Sequence, residues 1–122
     1  MKCTIMDDFW ESMVHTMSGQ LEILQKKFHP IFKRYKVQKA IVFGSFARGE
    51  PSAHSDLDLI LIQSTDKRFF DRYEGIQIDL VKAAGKYPID LLIYTPEELE
   101  AISHRYFIAR ALREGKVIYE SE

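Results

Sequence analysis

The sequence predicts a mixed α/β (α+β) domain in which a small mixed β-sheet of three to four strands is flanked by helices. Apolar residues recur at helical spacing through the first third of the 122-residue chain. Short runs rich in aliphatic and β-branched residues then alternate with further helical patterns. Because no repeat, linker or low-complexity tract interrupts this order, we expect residues 1–122 to form a single domain.

The first element is a predicted N-terminal helix over about residues 8–35. Its apolar residues recur at steps of three or four and therefore share one face, which is interpreted as part of the core. They are Trp10, Val14, Met17, Leu21, Leu24 and Phe28. Asp7 or Asp8 can cap the start of this helix. Pro30 is expected to kink or interrupt it, because proline cannot donate a helical hydrogen bond.

Two predicted strands enclose a glycine-containing segment. The first strand spans residues 39–43 and ends at Gly44, and a brief helical turn over residues 45–49 follows it. Residues 50–55 are loop by composition. The second strand, over residues 57–63, consists of β-type residues and ends in a turn cluster.

The rest of the chain continues the alternation of helix and strand. The predicted elements are a helix over residues 67–84, a strand over 89–94, a helix in one or two pieces to Glu114, and a short strand over 117–119. Gly85 is placed to end the first of these helices. Thr95 and Glu98 form a capping box at the start of the second, and Gly115 closes it.

Composition and charge restrict the classes of function. The formal net charge is −1, so no domain-wide basic field for nucleic acid is expected. A local basic run is interpreted as a solvated helix face, with a patch for an anionic partner as the alternative. It contains Lys26, Lys27, Lys33, Arg34, Lys36 and Lys39. The single cysteine, Cys3, excludes a disulfide framework. No apolar run approaches the ~20 residues that a membrane span needs, and no signal peptide is visible, so we expect a cytoplasmic protein.

The most informative segment is Gly44-Ser45, followed after ten intervening residues by Asp56-Leu57-Asp58. Gly44 lacks a β-carbon, so its backbone can approach a phosphate closely. Ser45 opens a helical turn, where its hydroxyl and free N–H groups can bind phosphate oxygens. Asp56 and Asp58 lie two apart on a strand and project from the same face. Two adjacent carboxylates are the hard oxygen donors that Mg²⁺ prefers, with phosphates and water completing its shell.

A third carboxylate is expected from a neighbouring strand. Asp79 and Asp90 both stand in an Ile-Asp-Leu context. Asp79 falls on the polar face of a predicted helix and is interpreted as a solvated charge. Asp90 falls in a strand with apolar neighbours, where an isolated carboxylate is costly unless it has a ligand such as a metal. Asp90 is therefore the favoured third member of the site.

Two longer stretches carry a family resemblance. Residues 43–50 (Phe-Gly-Ser-Phe-Ala-Arg-Gly-Glu) and 55–59 (Ser-Asp-Leu-Asp-Leu) resemble the signature of the DNA polymerase β-like nucleotidyltransferase superfamily, in particular the minimal nucleotidyltransferases (MNT) of bacteria and archaea. Residues 88–92 resemble the strand that carries that family's third aspartate, and residues 107–119 are similar to its ending. The likeness covers roughly residues 31–120, and the motif is intact.

The resemblance implies a polymerase β-like nucleotidyltransferase fold and transfer with two bound metal ions, Mg²⁺ or Mn²⁺, and ATP as the substrate. Asp56 and Asp58 would bind both ions, and Asp90 would bind the ion that activates the acceptor hydroxyl. Gly44 and Ser45 would hold the triphosphate. Arg48 would either reach a phosphate or remain a surface charge.

The resemblance also implies a partner. MNT proteins of this kind commonly pair with a HEPN-type helical protein in toxin–antitoxin modules, in which the MNT member acts as antitoxin and transfers AMP to a tyrosine of the toxin. Two alternatives stay open from the sequence. One is transfer to a small molecule, as in antibiotic nucleotidyltransferases. The other is a non-catalytic module that neutralises its partner by contact alone.

Overall fold

The computed structural model describes residues 19–49 and 55–121. Its elements in chain order are α1 (Gly19–Arg34), β1 (Lys39–Phe43), β2 (Leu57–Ile62), a 3-10 helix (Phe69–Tyr73), α2 (Ile76–Ala84), β3 (Ile89–Tyr94), α3 (Pro96–Ile102), α4 (Tyr106–Glu114) and β4 (Lys116–Glu120). The predicted mixed α/β class with a small sheet is confirmed. No helix in these described ranges is long and apolar enough to cross a membrane.

The four strands form one mixed sheet in the order β3-β2-β1-β4. β1 is antiparallel to both β2 and β4, whereas β2 and β3 are parallel. The parallel pair is connected through the 3-10 helix and α2, as a parallel crossover requires. This topology places β2 between the strand that precedes the glycine turn and the strand that carries Asp90.

The two faces of the sheet are covered differently. On one face, α1 and α2 pack over Val42 and Leu59, which are fully buried in the main core. The opposite face carries a smaller cluster formed by Ile41, Ile60 and Ala111 of α4. Since successive side chains of a strand point to opposite faces, Asp58 shares the face of Ile60. The predicted site therefore lies on the thinly covered face.

The N-terminal helix agrees with the prediction where the structure describes it. Leu21, Leu24 and Phe28 are buried, as their spacing predicts. Residues 8–18, with the rest of the predicted apolar face and its cap, lie outside the described residues, as does Cys3. Of the kink or interruption predicted at Pro30, the interruption is wrong, because α1 continues through this exposed residue to Arg34.

The single helix predicted over residues 67–84 is also wrong. It is divided at Gly75, whose φ of +80° is incompatible with a continuing right-handed helix. A β-carbon at this glycine would lie 2.8 Å from the hydroxyl of Tyr35, which directly follows α1. The close approach of Tyr35 therefore favours glycine here. Gly85 ends α2, as expected, with a φ of +68°.

A buried arginine joins the 3-10 helix to the carboxyl end of β3. Arg72 donates to both carboxylate oxygens of Glu98, at 2.6 and 2.9 Å, and to the carbonyls of Lys67 and Ile93. The predicted capping box is present, since Thr95 Oγ1 accepts from the Glu98 N–H and Glu98 Oε1 accepts from the Thr95 N–H. These bonds, Arg72 first, lower the pKa of Glu98 to about 2.

Candidate active site

A tight turn follows β1 at Gly44, as the sequence predicts. Gly44 has a φ of +76°, and its carbonyl accepts a hydrogen bond from the Arg48 N–H at 3.1 Å. Phe46 is fully buried and packs edge-to-face on Tyr87, with ring centroids 5.0 Å apart. The buried Phe46 anchors the turn to the core, while Ser45 beside it stays partly exposed. The turn is thereby held rigidly at the end of β1.

Gly44 is also required by its contact with β2. A β-carbon at this position would overlap the carboxylate of Asp58. The contact arises because the antiparallel register pairs Phe43 with Asp58, directly across the end of β1. Any larger residue would displace either the turn or the carboxylate. Glycine therefore allows the turn and the carboxylate to approach each other closely.

The parallel register brings two of the predicted aspartates together. Asp58 pairs directly with Asp90 across β2 and β3, so their side chains are neighbours on the same face of the sheet. Asp58 is half-buried, whereas Asp90 is exposed. Asp56 is exposed just before β2, two residues from Asp58 and hence on the same side of the chain.

The electrostatics of Asp58 reflect this crowding. Burial, then repulsion and hydrogen bonding by Asp90, and then repulsion by Asp56 raise the pKa of Asp58 to about 6. The positive charge of Arg48 acts in the opposite direction but does not cancel them. The ionised site thus has an excess of negative charge, which a cation would offset.

The competing aspartate, Asp79, has a structural role. It lies in α2, on the opposite face of the sheet, where it accepts hydrogen bonds from Tyr35 Oη at 2.8 Å and Arg34 Nη1 at 3.1 Å. The bond to Asp79 raises the pKa of Tyr35. Asp79 therefore links α1 to α2 and is not brought together with Asp58.

The donor set suits a hard divalent cation. Asp56, Asp58 and Asp90 offer only carboxylate oxygens, and the mutual repulsion around Asp58 favours a bound positive charge. Across residues 19–49 and 55–121, no three acidic, histidine or cysteine side chains are grouped closely enough to enclose a metal ion by themselves. This arrangement fits Mg²⁺, which usually binds through one or two carboxylates plus substrate phosphates rather than in an all-protein cage.

A cleft of about 230 Å³ opens beside Asp58, between the glycine turn and α4. Its lining residues are Phe43, Gly44, Arg48, Asp58, Phe107, Arg110, Ala111 and Glu114. Of these, the α4 residues were not predicted to line the site. Their sequence pattern is that of an ordinary amphipathic helix, and only the pair of aromatic residues at its start, Tyr106 and Phe107, is unusual for an exposed face.

Comparison with known proteins identifies the family. The family model described as "Polymerase beta, Nucleotidyltransferase" matches residues 26–122. The chain belongs to this nucleotidyltransferase family. The family expected from the Gly-Ser and Asp-x-Asp motifs is thereby confirmed, and so is the fold.

This nucleotidyltransferase is also similar to individual proteins, one by sequence and two by fold. A Methanocaldococcus jannaschii protein named "Putative protein adenylyltransferase" is 29% identical over 103 residues, which cover 84% of the chain and 96% of the relative. A solved structure described as a "toxin-antitoxin with AMP-PNP" matches with a TM-score of 0.57 and 20% identity, covering 80% of the chain and 74% of the matched chain. Another, a tri-AMPylated Shewanella oneidensis HEPN toxin in complex with MNT antitoxin, matches with a TM-score of 0.54 and 16% identity, covering 82% and 72%.

Proposed function

We propose that this nucleotidyltransferase is metal-dependent, transfers AMP from ATP to a tyrosine hydroxyl of a HEPN-type toxin, and thereby acts as an antitoxin. The observation that carries the proposal is the register pairing of Asp58 with Asp90 beside the Gly44 turn. A carboxylate pair of this kind, next to a backbone turn that can receive phosphate, suits transfer at a phosphorus atom. The adenylyltransferase relative and the fold neighbours favour AMP as the group transferred.

The donor side of the reaction is assigned to the glycine turn. The backbone of Gly44 and the hydroxyl of Ser45 bind oxygens of the triphosphate. Arg48, whose charge already acts on Asp58, faces the same phosphates and offsets their charge. The anchoring of this turn by Phe46 keeps these donors in place, which favours a fixed in-line geometry at the α-phosphorus.

The acceptor side is assigned to Asp90. Asp56, Asp58 and Asp90 would hold two divalent ions, which would supply Lewis-acid stabilisation of the charge that develops during transfer. The tyrosine oxygen forms a bond to the α-phosphorus as the bond to the pyrophosphate oxygen breaks, and pyrophosphate leaves. Asp90 accepts the proton of the tyrosine hydroxyl. Its exposure leaves room for a side chain of another protein to reach it.

The experiment is a transfer assay with ATP labelled at either the α- or the γ-phosphate, together with Mg²⁺ and the cognate HEPN protein. Label from the α-position should appear on the partner, and label from the γ-position should leave as pyrophosphate. Asp58→Asn should abolish transfer. Asp79→Asn is the matched control, because it makes the same Asp-to-Asn change in α2, away from the site, and should retain transfer.

Other outcomes select the alternatives. An unmodified partner that stays bound and neutralised by Asp58→Asn protein would favour the contact-only module. Label transferred to a small hydroxylated acceptor, with none on the partner, would favour a small-molecule nucleotidyltransferase. Equal transfer by Asp58→Asn and wild-type protein would contradict the proposed site altogether.

A further inference from the structure

The cleft between the glycine turn and α4 is lined by both polar groups and aromatic rings. Asp58, Gly44 and Arg48 are the polar groups beside which the proposed function puts the phosphates. The rings of Phe43 and Phe107 also line the cleft, in edge-to-face contact with centroids 5.6 Å apart. A nucleotide combines the same two chemistries, since it joins a charged phosphate chain to a flat aromatic base.

The order of the strands indicates whether this cleft faces the donor nucleotide or the acceptor. The cleft lies over β1 and α4, on one side of Asp58, whereas Asp90 lies on β3, on the other side. The phosphate turn and the proposed acceptor carboxylate are thus separated by the width of β2. A group bound in the cleft is continuous with the donor phosphates and is directed away from the acceptor side.

Phe107 is exposed in a way that packing alone does not explain. Its neighbours along α4, Ile108 and Ala111, are buried against the sheet, yet 56% of the Phe107 surface remains accessible. Its ring is in edge-to-face contact with Phe43, and Phe107 also lines the cleft. Every nucleobase has a π-face that can stack on such a ring.

The size and rim of the cleft fit part of a nucleotide. Its volume of about 230 Å³ is below the ~300–1,000 Å³ typical of complete small-molecule pockets, so it accommodates part of a nucleoside triphosphate rather than the whole molecule. At its rim, Arg110 offers N–H donors and Glu114 offers carboxylate acceptors, with Arg110 Nε 3.3 Å from the Glu114 oxygens. Such a pair can meet both donors and acceptors of a nucleoside.

We propose that the nucleoside of the donor triphosphate occupies this cleft, with its base stacked on Phe107 and its polar groups towards Arg110 and Glu114. The inference rests on the proposed function, because it takes the polar groups of the cleft as the phosphate site of the donor. It assigns substrate binding to a helix outside the Gly-Ser and Asp-x-Asp motifs. Phe107 is thereby a substrate-positioning residue rather than part of the partner's docking surface.

The test measures binding rather than turnover. Calorimetry with a non-transferable α,β-methylene analogue of ATP, in the presence of Mg²⁺, should show Phe107→Ala binding about tenfold more weakly than wild type. Binding of inorganic tripolyphosphate should not change, since it has no base to stack on Phe107. Phe107→Tyr should retain the analogue, because its ring stacks equally well. Phe70→Ala is the matched control: Phe70 is 84% exposed and does not line the cleft. Circular dichroism melts confirm that each variant folds.

The outcomes separate this inference from the function on which it rests. Wild-type affinity of Phe107→Ala for the analogue would overturn the inference, as would equal affinity of wild type for the analogue and for tripolyphosphate. Either result leaves the transferase assignment standing. Failure of the wild-type protein to bind the analogue at all would instead overturn the proposed function, and this inference with it.

Discussion

The two ends of β3 hold acidic residues in opposite electrostatic situations. At the start of the strand, Asp90 and Asp58 repel each other across the sheet, and the pKa of Asp58 rises to about 6. At its end, Glu98 is bound by the buried Arg72 and the Thr95 backbone, and the pKa of Glu98 falls to about 2. When ionised, Asp58 raises the free energy of the folded state. Ionised Glu98 lowers it.

This difference teaches how a structural carboxylate can be told from a functional one. The network at the end of β3 is complete within the chain, because every donor of the capping box has its acceptor. The cluster at the start remains short of positive charge even with Arg48 nearby. A charge arrangement that the chain does not complete itself is a candidate for completion by a ligand.

The largest expected effect is on catalysis at the start of β3. Asp58→Asn should lower the rate of transfer on the order of a thousandfold, because it removes a charged ligand of the proposed metal ions without changing the side-chain size. In EDTA the same variant should melt at the same temperature as wild type or higher, since it relieves repulsion. If Asp58→Asn instead melted at a lower temperature and kept wild-type transfer, Asp58 would be a structural carboxylate, contrary to this prediction.

At the other end of β3, the expected effect is on stability. Arg72→Met should lower the free energy of unfolding by about 3 kcal/mol, because Glu98 and the carbonyls of Lys67 and Ile93 lose their buried donor. Transfer per folded molecule should persist. Urea denaturation measures the loss, and Arg34→Met is the control. Arg34 forms an exposed ion pair with Asp79, so its replacement should cost at most about 1 kcal/mol. Equal losses of unfolding free energy in Arg72→Met and Arg34→Met would contradict the distinction between the buried and the exposed ion pair.

The pH dependence of stability should have opposite signs at the two ends. The folded pKa of Asp58 lies above its ordinary 3.8, so its contribution is fully present below pH 4 and is lost as the pH rises through 6. Glu98 contributes above its ordinary pKa of 4.5 and loses that contribution as the pH falls towards 2.

Denaturation in EDTA at several pH values checks the Asp58 side of this comparison. Between pH 4 and 7, the free energy of unfolding of wild type should fall by about 2 kcal/mol relative to Asp58→Asn. The figure is discounted for the partial exposure of Asp58. Parallel pH curves for the two proteins would show that Asp58 does not carry the raised pKa.

The smallest expected effect concerns the contribution of the capping box to stability at the carboxyl end of β3. Thr95→Ala removes the side-chain acceptor of the capping box and should cost about 1 kcal/mol. Ser103→Ala, at the far end of α3, removes an exposed bond from Ser103 Oγ to the Glu100 carbonyl and should change stability by less than about 0.5 kcal/mol. A thermal melt of the three proteins compares them. If Thr95→Ala lowers the stability no more than Ser103→Ala does, then Arg72 alone holds the carboxyl end of β3 in place.

The elements that could be predicted are those with local causes. β1 and β3 have the predicted bounds, Lys39–Phe43 and Ile89–Tyr94, because short apolar runs between turn residues suffice to specify them. The Thr95 capping box is a four-residue pattern and was equally visible. Asp90 could be favoured over Asp79 because a carboxylate among strand residues needs a ligand, whereas one on a polar helix face does not.

The features that could not be predicted depend on residues distant in sequence. The break at Gly75 is tied to the position of Tyr35, a turn residue 40 positions earlier in the chain. Arg72 and Glu98 are each unremarkable until the fold brings them together. The aromatic lining of the cleft likewise depends on the approach of Phe107 to Phe43. Periodicity describes one segment at a time and contains no information on such pairs.

The pairing of Phe43 with Asp58 has a consequence for how such a site can evolve. Hydrogen bonds across the two strands set the distance from the glycine turn to the carboxylate, so the number of residues between them does not. Insertions and deletions in that connection are therefore expected to be neutral among relatives, provided that the ladder is kept. A search pattern that fixes ten residues between Ser45 and Asp56 would overlook descendants whose catalytic geometry is unchanged.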